Sequence, residues 1–152
     1  MKRVSVVVVA PARQRAICRS ALGGSASVVI AGEGRRVTEA LELVTRHRPA
    51  VVVLGSTPGR MASPLVIAAL RQRSPGTRVI LLTVGLAREV AALEAASRGA
   101  HGCLVEPSDC AFLGKAVGAV AVGEAWFPRC IAPEIVRRLV AREGAAALGG
   151  AR

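Results

Sequence analysis

The chain has 152 residues, a length typical of one domain. Apolar residues make up 52%, too many for a disordered chain, and no apolar run reaches the roughly 18 residues a membrane span requires. The net charge is +11, carried almost wholly by Arg, with Lys2 and Lys115 the only lysines and Asp109 the only aspartate. Such a surface suits an acidic partner, nucleic acid included, but the arginines are scattered rather than striped and fit solvated helix faces equally well.

The run Val4-Ser5-Val6-Val7-Val8-Val9 predicts a first strand, buried on both faces and closed by Ala10-Pro11. Residues 12–22 follow as a helix with Ala16, Ile17, Ala21 and Leu22 as its apolar positions, ended by Gly23-Gly24. Residues 27–31 are a second strand, broken at Gly34, and Val37, Ala40, Leu41 and Val44 recur at helical spacing up to Arg48-Pro49. Residues 50–54 are a third strand that stops at Gly55. The turn-rich loop Gly55-Ser56-Thr57-Pro58-Gly59 leads to a helix carrying Leu65, Val66, Ala69 and Leu70. Pro75-Gly76 precedes a fourth strand at 78–83. Val90, Leu93 and Ala96 mark the core face of the next helix, and residues 101–105 a fifth strand. Ser108 is placed to cap a fifth helix with Asp109 in its first turn and Phe112, Ala116, Val117 and Val120 on its apolar face. Residues 133–142 read as a short extra helix, and 144–152 as a Gly/Ala-rich tail.

Five βα units with right-handed crossovers give a parallel sheet covered on both faces. The functional crevice of such a sheet lies past the carboxyl ends of its strands. Cys18, Cys103, Cys110 and Cys130 form no C-x-x-C pair, and His47 and His101 have no ligand-spaced partner, so neither a metal nor a cofactor is expected. The segment Gly32-Glu33-Gly34-Arg35-Arg36-Val37 begins like a dinucleotide fingerprint but lacks the third glycine and follows the second strand, not the first. No nucleophile, base and orienting group assemble, so the chain is not expected to be an enzyme. The N-terminus lacks the form of a signal peptide, and a reducing cytoplasm is the expected location.

Several stretches resemble the receiver domains of bacterial response regulators, in particular the NarL/FixJ (LuxR-type) subgroup. They are Gly32-Glu33, Glu39-Ala40-Leu41-Glu42-Leu43, Arg48-Pro49-Ala50-Val51-Val52-Val53-Leu54, Pro58-Gly59, Thr77-Arg78-Val79-Ile80-Leu81-Leu82-Thr83, Gly99-Ala100-His101-Gly102 and Gly123-Glu124-Ala125-Trp126. The resemblance spans roughly residues 3–140. It implies a flavodoxin-like (βα)5 fold, a doubly wound parallel sheet in the order 2-1-3-4-5, here with a short extra C-terminal helix. It divides the chain into a receiver-like domain (1–124), a C-terminal extension helix (125–143) and a linker-like tail (144–152).

The family's usual activity is phosphorylation of an aspartate at the end of the third strand. That chemistry uses an acidic pair after the first strand to hold magnesium, a hydroxyl ending the fourth strand and a lysine after the fifth. The corresponding positions here are Val9-Ala10 or, in the other register, Ala10-Pro11 for the acidic pair, and Gly55, Thr83 and Glu106 for the rest. Only the hydroxyl is kept, so the sequence reads as a degenerate receiver without the usual phosphorylation, because glycine offers no nucleophile. Glu106 would imitate the missing bond if it paired with Arg13 or Arg60; the plainer expectation is an exposed glutamate without a tight partner. Thr83 reads as a relic switch hydroxyl or, more plainly, as a strand-end residue bonded to backbone. Arg13, Ser56, Thr57 and Arg60 are the candidate crevice residues for a ligand or an ion pair; Ser56 and Thr57 are equally ordinary turn residues.

Receivers of this subgroup usually precede a helix-turn-helix. The resemblance therefore implies a homodimer acting on DNA through a C-terminal output domain absent from these residues, with a protein or small-molecule effector as trigger and no membrane association. The family's self-association surfaces point to Val90, Leu93, Phe112 and Val117, residues that would otherwise be ordinary core. A stand-alone binding module on the same fold is the alternative.

Overall fold

The computed structural model describes residues 3–56 and 61–127, together with Pro133, Arg137, Val140 and Ala141. The elements alternate in chain order: β1 (Val4–Val9), α1 (Ala12–Gly23), β2 (Val28–Gly34), α2 (Val37–His47), β3 (Val51–Gly55), α3 (Pro64–Arg73), β4 (Arg78–Thr83), α4 (Arg88–Ser97), β5 (Gly102–Val105) and α5 (Leu113–Ala121). The strands form one parallel sheet in the order β2-β1-β3-β4-β5. This is the flavodoxin-like arrangement.

Residue alternation along the central strands divides the core into two layers. Val52, Leu54, Val79 and Leu81 face α2, α3 and α4, where Ala40, Val44, Ile67, Leu70, Ala91 and Ala95 meet them. Val51, Val53, Ile80 and Leu82 face α1 and α5 and meet Cys18, Leu22, Leu113, Ala116 and Val117. Both layers are apolar, which is why the middle strands read as unbroken β-branched runs. Local signals set several boundaries. Ser63 accepts the Val66 amide at the start of α3, with Pro64 as its first helical residue. Glu39 accepts the Arg36 amide at the start of α2.

Four local expectations are corrected. β2 runs on through Gly34, with a register shift opposite Val6 and Val7, because pairing with β1 carries it past its own apolar residues. On α1 the buried stripe is Gln14, Cys18 and Leu22, and Ala16 is exposed. On α4 the buried residues are Ala91, Ala92 and Ala95, while Val90 stands 51% exposed. α5 begins at Leu113 after a 3-10 turn at Cys110–Phe112, so Ser108 caps no helix and Phe112 lies 45% exposed on that turn.

After α5 the chain returns to the sheet. Trp126 forms a one-residue parallel bridge with Gly102, donating to the His101 carbonyl and accepting from the Cys103 amide, both at 3.0 Å. Of the expected C-terminal helix, Pro133, Arg137, Val140 and Ala141 are helical; its remaining residues beyond Phe127, and the tail 144–152, lie outside the described residues. No helix among the described residues is long and apolar enough to cross a membrane.

Candidate functional site

The carboxyl ends of β1, β3, β4 and β5 converge on one mouth, as parallel pairing requires. Val9 and Ala10 end β1 with buried carbon side chains. Gly55 ends β3, and the space a side chain would take there is already filled: a Cβ on Gly55 would collide with the Gln14 carboxamide oxygen and stand 2.7 Å from the Ala10 Cβ. Gln14 is 1% exposed.

The plug is anchored from the far side of the mouth. The Gln14 carboxamide nitrogen donates to Glu106 Oε2 at 2.6 Å. Arg13 donates to both Glu106 oxygens, at 2.9 and 3.2 Å. Glu106 is therefore not the exposed, partnerless residue that its position after β5 made the plainer expectation. It is 7% exposed and holds three side-chain hydrogen bonds. Arg13 makes the pair; Arg60 and Thr57 lie outside the described residues. A buried carboxylate needs such partners, and the forked guanidinium supplies two donors in one plane. Arg13 and Gln14 both lie in the first turn of α1.

Thr83 ends β4 at 1% exposure, and its hydroxyl has no hydrogen-bond partner of the ordinary kind, so the expected backbone bond is absent. The Cys103 thiol lies beside it. Burial pushes the Cys103 thiol up to about 12, and the Cys18 thiol likewise, which keeps both protonated near neutral pH. Ser56 is half-buried in a cleft of about 240 Å³ bounded by Pro11, Arg35, Val37, Gly55, Met61 and Ala62.

A second carboxylate lies one turn away. Asp109 does not ride on a helix as expected. Its Oδ2 accepts the Val105 amide at 2.9 Å, and its Oδ1 accepts from Arg88 at 2.6 Å, tying the start of α4 to the turn after β5. Of the residues expected on a self-association surface, Val90 and Phe112 are exposed and Leu93 is half-buried. Val117 is excluded, since it is wholly buried between α5 and the sheet.

Neither a protein-family model nor a curated protein matches the chain. Solved structures do. The signal receiver domain of the response regulator NarL from Mycobacterium tuberculosis is 32% identical, with a TM-score of 0.70 over 82% of this chain and 100% of that one. The chain belongs to the receiver domains of NarL/LuxR-family response regulators. A LuxR-family two-component response regulator from Aurantimonas sp. is 24% identical, with a TM-score of 0.73 over 91% of this chain and 99% of its own. The isolated receiver of RcsB from Salmonella enterica serovar Typhimurium is 18% identical, with a TM-score of 0.70 over 87% of this chain and 98% of its own.

In this receiver the residues at the mouth do not fit the divalent metal that receiver chemistry uses. A hard cation needs several oxygen ligands, and Val9, Ala10 and Gly55 offer no side-chain oxygen. The oxygens of Glu106 are committed to Arg13 and Gln14. Among the described residues no group of three His, Cys, Asp or Glu side chains comes together as a ligand set.

Gln14 and the Arg88–Asp109 pair were missed by sequence reasoning. The signal for Gln14 was present: it stands four residues before Cys18 and eight before Leu22, on the buried stripe of α1. A carboxamide on such a stripe needs a polar partner inside the fold.

Proposed function

We propose that this receiver is a regulatory module that works without aspartyl phosphorylation and gates a helix-turn-helix output through binding and self-association. The observation that carries the reading is the hydrogen-bonded network that holds Glu106 at the mouth. Gln14 fills the place of the phosphoacceptor side chain, and Glu106 is bound by Arg13 and Gln14 where the family has a lysine. Receivers switch when a new bond joins the end of the fifth strand to the mouth; here a bond of that kind is built in and holds the module in one state. The module performs no catalysis of its own. Its trigger is concentration, a protein partner or a small effector.

Self-association uses the apolar side of α4, where Val90 is exposed and Leu93 half-buried. RcsB, of the same fold, has been seen as dimers bound to DNA.

The test is direct. Incubation with acetyl phosphate and Mg²⁺ leaves the intact mass unchanged, while an authentic receiver run in parallel gains one phosphoryl group. An acid-labile gain of one phosphoryl group on this chain sinks the proposal. For the output, the codons downstream of residue 152 are expected to continue into a helix-turn-helix; a stop codon there moves the reading to a stand-alone binding module.

A further inference from the structure

The chain contains one tryptophan, two phenylalanines and no tyrosine. All three of these aromatic side chains, Phe112, Trp126 and Phe127, line a single open cavity of about 330 Å³ at the edge of β5. That volume falls in the range of small-molecule sites. The other lining groups are Cys103, Arg88, Asp109 and Lys115. A surface this poor in aromatics has no compositional reason to gather them in one place. Each is also left partly open: Phe112 is 45% exposed, and Trp126 and Phe127 are half-buried.

The charges at the cavity select a sign. Asp109 is neutralised by Arg88 at 2.6 Å and has its other oxygen on the Val105 amide. Lys115, exposed on α5, has no ion pair among the described residues. One positive charge is thus left over at the rim. The cavity lies outside the Arg13–Gln14–Glu106 network, so its use does not depend on how that network behaves.

We propose that this cavity binds a small flat aromatic molecule bearing an anionic group. The ring lies against Trp126, Phe127 and Phe112, and the anion meets the Lys115 ammonium, with the Arg88 guanidinium beside it. Aromatic faces give such a ring both apolar area and a preferred offset geometry. The anion is favoured because a neutral ring would leave the Lys115 charge unused, and a cationic ring would oppose it.

Anilinonaphthalene sulfonate is the probe, and phenylnaphthylamine, which has the same rings without the sulfonate, is its control. As the only tryptophan, Trp126 reports locally through quenching of its emission and energy transfer to the bound dye. The full chain is expected to bind the sulfonate saturably at one site, at least about tenfold more tightly than the neutral control. Lys115→Glu and Phe112→Ala, both at open positions, each weaken binding by about tenfold. Arg46→Glu, on the far helix α2, leaves it unchanged. Sulfonate binding that survives both cavity variants overturns the proposal, as does equal affinity for the two dyes. A dye signal that falls as protein concentration rises, and recovers in a monomeric Val90→Asp variant, also overturns it, because a second copy then occupies the cavity.

Discussion

The Gln14 carboxamide oxygen occupies the space that a Cβ on Gly55 would need. The two residues come from different βα units, and neither position can be changed without regard to the other. Gly55 is the point where β3 stops, and Gln14 reaches it from the first turn of α1 because its amide nitrogen is held by Glu106.

Gly55→Ala is expected to destabilise the fold by about 1–3 kcal/mol, the usual cost of overpacking a filled site. For a domain of this length that lowers Tm by roughly 2–4 °C per kcal/mol. Adding Gln14→Ala recovers part of the loss, since the carboxamide is gone while Ala10 still crowds the new methyl. A double-mutant cycle by urea unfolding checks this, and a coupling below about 0.5 kcal/mol contradicts the plug.

Glu106→Ala is expected to cost about 1–3 kcal/mol, because it strands the buried Gln14 amide and releases Arg13. Arg13→Ala costs less, since the Arg13 side chain is 63% exposed and its charge is largely screened by water. Denaturant midpoints of the two variants, measured at low and high salt, test the order; an Arg13 variant weaker than the Glu106 variant reverses the account.

His101 makes stability depend on pH. Its Nδ1 accepts the Val79 amide at 3.1 Å, a bond only the neutral ring can accept. Burial, aided by the Arg71 and Arg78 charges, lowers its pKa below the usual 6.5. The unfolded chain therefore binds the proton more readily than the native one. The contribution is complete above pH 6.5 and is lost as pH falls through the folded value. Tm of the wild type is expected to drop more steeply than that of His101→Ala as pH is lowered below 6.5; parallel profiles contradict this role.

Val117→Asp and Val90→Asp are expected to part company. Val117 is 0% exposed, so a carboxylate there abolishes folding or costs more than about 4 kcal/mol. Val90 is 51% exposed, so the same change alters stability by no more than about 0.5 kcal/mol and instead weakens self-association. Circular dichroism and sedimentation velocity separate the two effects.

The order of strands and helices was legible because burial on both faces leaves its mark on a strand's own residues. The runs at 51–54 and 79–82 are apolar throughout, and Gly55 and Glu106 could be placed at the mouth by their position after a strand. Helix faces were less legible. On α4 the stripe of larger residues, Val90 and Leu93, looked like the core, yet the helix lies on the sheet through Ala91, Ala92 and Ala95. Apolar spacing gives a period; which apolar side chain is small enough for close approach depends on the surface opposite.

Residue types at the mouth were determined by the sequence alone: no nucleophile at 55, no acids at 9 and 10, a carboxylate at 106. Only the tertiary structure decided what those residues do together. Arg13 and Gln14 lie 93 and 92 residues from Glu106 along the chain, and parallel strands bring them to one mouth. Ionic and hydrogen bonds depend on distance and direction at the scale of a few tenths of an ångström, whereas a pattern of residue types carries only spacing along the chain.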